Sequence, residues 1–274
     1  MSHFSVAVFT KPGGKSVEEL LAPYDENIEV KPYIYKTKED IIKSIRDDAK
    51  RLRENIVKHE MGKLVDGEKV RPYWRSGDEM SEYYKIILHN DETKTDEELY
   101  EIYHEDNQDL SFDENGNELS TYNPKSKWDW YSIGGRWDQM LRLKGKDTRV
   151  NEALVKDIDF SPNKEKYEEA KRFWEIVVEK KPLKDGEEKP YTIYKEDYFI
   201  DRYKDADNFA TSQSRFSTYA LVTPKGEWFE PGKMGWWGMS SATSDSEKEF
   251  KQFFDKYIAE ANPKWTLTIV DCHI

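Results

Sequence analysis

Residues 127–137 read KWDWYSIGGRW, which gathers three tryptophans, a tyrosine, two cations, an aspartate and a double glycine in one short stretch. Gly134 and Gly135 can take backbone angles closed to other residues and let a ligand or another backbone come close. Successive amides in such a turn can form an anion-binding nest, and Arg136 adds a forked cation suited to phosphate or carboxylate. Trp128, Trp130 and Trp137 offer flat faces on which a base could stack, worth roughly 1–3 kcal/mol per base. The opposing expectation is a tight turn pinned by buried rings, with Arg136 stacked or paired to Asp129 or Asp138. The stretch has neither GxGxxG nor GxxxxGK[ST], so it is no phosphate-binding P-loop.

A second aromatic-glycine knot, GKMGWWG, stands at 232–238. Trp236 and Trp237 are adjacent, so in extended backbone one faces a core while the other faces a cleft or partner. Two such loops in one chain make a shared binding surface a natural expectation.

Familiar catalytic residue types adjoin at Asp271-Cys272-His273. His3 opens the first strand, and terminal strands that pair with each other would bring His3 toward His273. A cysteine nucleophile with a histidine base, or a His/Cys/Asp metal site, can both be drawn from these residues. Neighbours on a strand alternate faces, however, so Cys272 and His273 do not converge naturally. The bland expectation is a buried small cysteine beside a hydrogen-bonded histidine. No CxxC, HExxH or His-x-His spacing argues for a metal. DENGNE at 113–118 has its glycine at position 4 of a calcium loop instead of 6, and Pro124 at position 12, so it is rejected as a calcium site. No metal and no cofactor are expected.

The elements that would hold these residues come from a chain of 274 residues, 36% charged yet 14% aromatic, with a net charge of −12. Its core must be built from Phe, Tyr and Trp more than from aliphatic residues. The charge argues against broad nucleic-acid binding, which needs clustered Lys and Arg. Acidic residues are densest from Asp91 to Glu118, read as a solvated loop or, more sharply, as a decoy for a basic partner. A single cysteine fits a reducing compartment. No stretch approaches the ~18 apolar residues of a membrane span, and no signal peptide is visible. The expectation is a cytoplasmic protein.

Strands are expected at 3–10, 139–144, 215–223, 227–230 and 265–274, with 30–35 a brief extended stretch. The turn PKG joins 215–223 to 227–230 as a hairpin. Helices are expected at 16–24 behind a Ser16–Glu19 capping box, and at 37–60, 96–104 and 164–181. A last helix follows Ser244 and Glu247 and stops at Asn262-Pro263. Residues 105–126 read as loop and 182–208 as a surface excursion. Strands at both termini and in the middle, without βαβ alternation, give an α+β fold: one antiparallel or mixed sheet with helices packed on it. The chain reads as a single α+β domain, residues 1–274, with polar helical insertions at about 37–115 and 150–210.

The blocks MSHFSVAVFT, ELLAPYDEN, NPKSKWDWYSIGGRW, FSTYALV, GEWFEPGKMGWWG and TIVDCHI resemble a recurrent family of bacteriophage and prophage proteins. They cover about a third of the chain, and their order makes the resemblance specific. It implies a phage context, hence the host cytoplasm, and supplies no catalytic residues. In that context the leading expectation is an accessory protein that binds without turnover. It would inhibit a host anti-phage defence through a host protein or a nucleotide-like signal. Trp128, Trp130, Gly134, Gly135, Arg136, Trp137, Trp236 and Trp237 would form its surface. The alternative is a hydrolase for a phosphate-containing or nucleotide-like substrate, using His3, Asp271, Cys272 and His273. Homo-oligomerisation is left open.

Overall fold

A computed structural model describes residues 2–60 and 82–274, which form two compact units. One comprises residues 1–28 with 123–274; the other is 29–122. The first expected insertion therefore falls within a body with its own sheet and its own buried residues, while 150–210 belongs to the larger unit.

In chain order the strands are β1 His3–Thr10, β2 Tyr33–Lys36, β3 Ser111–Phe112, β4 Glu118–Ser120, β5 Trp130–Ile133 and β6 Leu141–Arg142. They continue as β7 Arg149–Val150, β8 Glu152–Leu154, β9 Ala220–Val222, β10 Trp228–Phe229 and β11 Thr266–His273. The helices are α1 Val17–Leu21, α2 Lys38–Glu60, α3 Glu82–Thr93, α4 Asp96–Asp106, α5 Lys164–Val177, α6 Glu196–Tyr203, α7 Ala206–Ser214 and α8 Ser244–Glu260. The class is α+β, as expected.

The larger unit is built on a six-stranded mixed sheet ordered β10-β9-β1-β11-β5, with β8 also paired to β11. The terminal strands do pair. β1 and β11 are antiparallel partners over their whole length, with His3 opposite His273 and Ser5 opposite Asp271. β9 joins β1 in parallel, which makes the sheet mixed, and β9 with β10 forms the expected hairpin. Because side chains alternate, each face has its own core. Phe4, Val6, Val8, Val270 and Cys272 meet Leu20 and Leu21 of α1 on one side. Ala7, Phe9, Leu267 and Ile269 meet Phe254 of α8 on the other. Helices α5, α6 and α7 share a separate cluster of Trp174, Phe199 and Phe209.

Several sequence expectations are corrected. The 139–144 strand shrinks to Leu141–Arg142, and 215–223 to Ala220–Val222. Asp205 caps α7, accepting a hydrogen bond from the Asn208 N–H, so the end of the stretch read as excursion is helical, and the helix runs on to Ser214. Helix α6 adds order to the same excursion, and 105–126 contains β3 and β4. The cap of α8 is Thr243 with Ser246, one residue before the expected pair. The capping box at Ser16 forms as read, and Thr95 with Glu98 forms another at the start of α4.

In the smaller unit, β2-β4-β3 forms a three-stranded sheet, and Ile41, Ala49, Leu99 and Tyr100 are buried. Its acidic run is not simply solvated. Asp91 lies between Arg46 and Arg53; burial pushes its carboxyl up, but the hydrogen bonds from Arg53 and Arg46 outweigh that and hold it below the usual range. Asp96 and Glu97 are paired to Arg46 and Lys38. Among the described residues, no helix is long and apolar enough to cross a membrane.

Candidate functional site

One face of the central strand pair changes character along its length. Phe9, Ala7, Leu267 and Ile269 are apolar and buried, yet the next positions on the same face are Ser5 with Asp271, then His3 with His273. On β5, Ser132 stands opposite Asp271 and Trp130 opposite His273, so the same face gains an aromatic ring at its rim.

Each histidine is held by its own carboxylate. His3 Nδ1 lies 2.9 Å from Asp271 Oδ1, and His273 Nδ1 lies 2.7 Å from Asp129 Oδ1. A carboxylate used as an acceptor needs the proton on Nδ1, which leaves Nε2 of each neutral ring as the basic nitrogen. The two imidazoles meet edge to face with centroids 4.9 Å apart. Trp130 stacks on His273 at 4.9 Å and 18°, and His3 stands edge-on to Trp130 at 5.3 Å. His3 is 12% exposed and His273 6%, whereas Trp130 is 45% exposed, so the rings reach the surface along Trp130.

The glycine turn closes onto this cluster. The Arg136 N–H donates to Asp271 Oδ2 at 2.9 Å, so one buried carboxylate holds both His3 and the turn. Gly135 has φ +52°, and a Cβ there would come within 2.4 Å of the Asp271 carboxylate, so only glycine allows this approach. The Arg136 side chain is exposed, and among the described residues no carboxylate pairs with it, neither Asp129 nor Asp138. Asp129 Oδ1 instead accepts from the Trp130 N–H, at 2.8 Å, as well as from His273. Asp138 accepts from Asn151 Nδ2 at 2.7 Å.

The second Trp-Gly loop borders the same strand end. Ser2 Oγ donates to the Gly235 carbonyl at 2.9 Å and accepts from the Gly238 N–H. Trp237 is 78% exposed and has left-handed backbone, φ 62°.

The fold thus brings His3, Asp271, His273, Trp130, Gly134, Gly135 and Arg136 to one place. Three expected members do not join. Trp128 is buried in the core, its Nε1–H donating to the Leu21 carbonyl at 3.3 Å, because it precedes β5 and packs beneath it against α1. Trp137 is half-buried and packs into the apolar cluster of Ala7, Phe9, Leu267 and Ile269, farther along the site's own face. Cys272 is fully buried on the face away from His273, and burial, with the Asp271 charge second, pushes its thiol well up, so it is no nucleophile here. The side chain of Trp236 lies outside the described residues. Asp129 is the member that reading the sequence missed. The only sign of it was an acid beside Trp130, and its partner is set by β5 joining β11.

Among the described residues, no group of three or more His, Cys, Asp or Glu is disposed to hold a metal ion. A cavity of about 50 Å³ lined by Arg142, Arg149, Asn163, Lys166 and Arg215 shares no residue with the histidine cluster. The cluster's chemistry sits on a rim of the sheet. No family model matches the chain, and no curated protein or solved structure matches it.

Proposed function

We propose that the histidine end of the sheet takes a phosphate-containing, nucleotide-like molecule and hydrolyses its phosphoester by acid–base catalysis. Of the two expectations drawn from the sequence, this is the hydrolase, without Cys272. The observation that carries it is the paired arrangement of His3 and His273, each held through Nδ1 by a separate carboxylate with the rings 4.9 Å apart. Such pairing fixes both rings and leaves Nε2 as the basic nitrogen of each, with the two imidazoles in contact, which a single structural histidine does not require.

In the reaction, one neutral imidazole takes a proton from water through Nε2 as the water oxygen bonds to phosphorus. The phosphorus–oxygen ester bond breaks, and the other imidazole, protonated at Nε2, gives its proton to the departing oxygen. Exchange with solvent restores both rings. General acid–base catalysis of this kind contributes typically about 10²–10⁴-fold. Arg136, exposed and paired with no carboxylate among the described residues, supplies a guanidinium for phosphate oxygens, and the exposed part of Trp130 a surface for a base. The resemblance to phage proteins implies the host cytoplasm as the setting, where removing a nucleotide signal would blunt a host defence.

A second reading, docking on a host defence protein, rests on a different observation: Trp237 presents its ring outward from left-handed backbone. Exposed tryptophan and arginine are the usual anchors of protein interfaces.

The test is incubation of the full chain with linear and cyclic nucleotides, followed by phosphorus NMR. Turnover that disappears in His3→Gln and His273→Gln, with near-UV circular dichroism unchanged, supports the hydrolase. No cleavage of any nucleotide, with a host protein recovered from infected cells only when Trp237 is intact, supports the docking reading instead.

A further inference from the structure

We infer that the substrate class of this site is the phosphodiester, with one negative charge, in preference to the monoester or polyphosphate; the inference rests on the acid–base reading above. Its ground is the charge that the cluster itself carries. Asp271 and Asp129 are both acceptors for an imidazole and for a main-chain amide, so two formal negative charges are built into the site. Against them stand the guanidinium of Arg136, which no carboxylate among the described residues pairs with, and the one imidazole that must be protonated to act as the acid. The cluster is then neutral before substrate arrives, inside a chain of net charge −12.

A diester leaves this neutral cluster with a single uncompensated negative charge. A monoester dianion adds two charges near two fixed carboxylates with the same one guanidinium. At separations of about 5 Å, a single uncompensated charge of this kind corresponds to a discrimination on the order of 100-fold.

The presence of two imidazoles favours the same substrate class. Phosphoryl transfer from a monoester passes through a loose transition state that asks little of a base. Attack on a diester gains from removing the proton of water, and an alkyl leaving group gains from receiving one. In the balanced step, water oxygen bonds to phosphorus and one ester P–O bond breaks. The proton of water goes to one Nε2, the proton of the other Nε2 goes to the leaving oxygen, and a monoester and an alcohol result.

The experiment compares bis(4-nitrophenyl) phosphate with 4-nitrophenyl phosphate, and a dinucleoside monophosphate with the corresponding nucleoside monophosphate, on the full chain. The expected result is a kcat/KM higher for each diester by about 100-fold, lost in His3→Gln and in His273→Gln. Asp129→Asn keeps an oxygen acceptor for His273 but removes one negative charge. It should narrow the diester-to-monoester ratio by about 10-fold, which a merely structural role for Asp129 would not do. A monoester cleaved as fast as the diester, with the same histidine dependence, overturns the diester assignment and leaves the acid–base reading standing. No cleavage of either class overturns the acid–base reading itself, and this inference with it.

Discussion

His3 and His273 face one another across the β1–β11 pair, edge to face at 4.9 Å, and each is tied to a different carboxylate. The first and last strands of the larger unit therefore converge on a single polar patch at the end of a face that is otherwise apolar. A sheet needs no such patch for stability. Burying Asp271 and two histidines costs desolvation that apolar residues at the same positions would avoid.

Trp128 and Trp130 should separate stability from binding. Trp128→Ala removes a buried ring and is expected to cost about 3–5 kcal/mol of unfolding free energy. Trp130→Ala, at a rim position, should cost far less stability and should weaken nucleotide affinity by about 10–100-fold, the worth of one base stack. Denaturant unfolding and calorimetric titration read the two effects. Equal loss of stability in both variants would make Trp130 another core ring.

Gly135→Ala should disconnect the turn from the cluster. A methyl group there would meet the Asp271 carboxylate at 2.4 Å, and the left-handed backbone adds about 1–2 kcal/mol. The expected readout is a shifted His3 ring resonance together with lost turnover, while the fold is retained. An unchanged His3 resonance would mean that Asp271 does not couple the turn to the histidine.

Cys272 should resist alkylation in the native protein. Burial first, and the Asp271 charge second, push its thiol well above the ordinary value. The thiol form is favoured in the fold. Its contribution to stability is thus complete below the ordinary thiol value and is lost as pH rises past it. Iodoacetamide at about pH 8 should modify the unfolded chain and spare the folded one. Rapid modification of folded protein would contradict the position of Cys272 beneath the sheet.

Alkaline titration should show delayed tyrosines. Burial, then the charge of Glu227, pushes Tyr257 up to about 12. Burial, then the hydrogen bond to Glu118, does the same for Tyr103. Both phenols stay protonated in the fold beyond their ordinary value, so the stability they add is present below that value, about 10, and is lost as pH climbs through about 12. The melting temperature should fall above about pH 10, and the phenolate absorbance should show a late phase. Complete ionisation of every tyrosine near the ordinary value would contradict this.

How far the site could be read in advance depended on the kind of information involved. The alternation in HFSVAVFT and TLTIVDCH is local, so it already separates Cys272 from Asp271 and His273. The register that sets His3 opposite His273 is not local, because no turn links β1 to β11. The same holds for Asp129, whose partner follows from β5 adding to β11. Helix α7 begins in residues whose Lys, Asp and Tyr content suggested a surface excursion, while the capping by Asp205 is the signal that counts. Trp128 and Trp130 sit two residues apart in one motif. Only packing against Leu21 decides that the first belongs to the core.

The most direct test of the two-histidine site is nitrogen NMR of the imidazole rings during titration with a slowly cleaved phosphorothioate dinucleotide. The account predicts saturable shifts of Nε2 in both His3 and His273, together with the Trp130 indole, and none of these in Arg136→Gln at the same ligand concentration. Unmoved imidazole and indole signals in the folded wild-type protein, at concentrations where the dinucleotide demonstrably binds elsewhere or not at all, would contradict it.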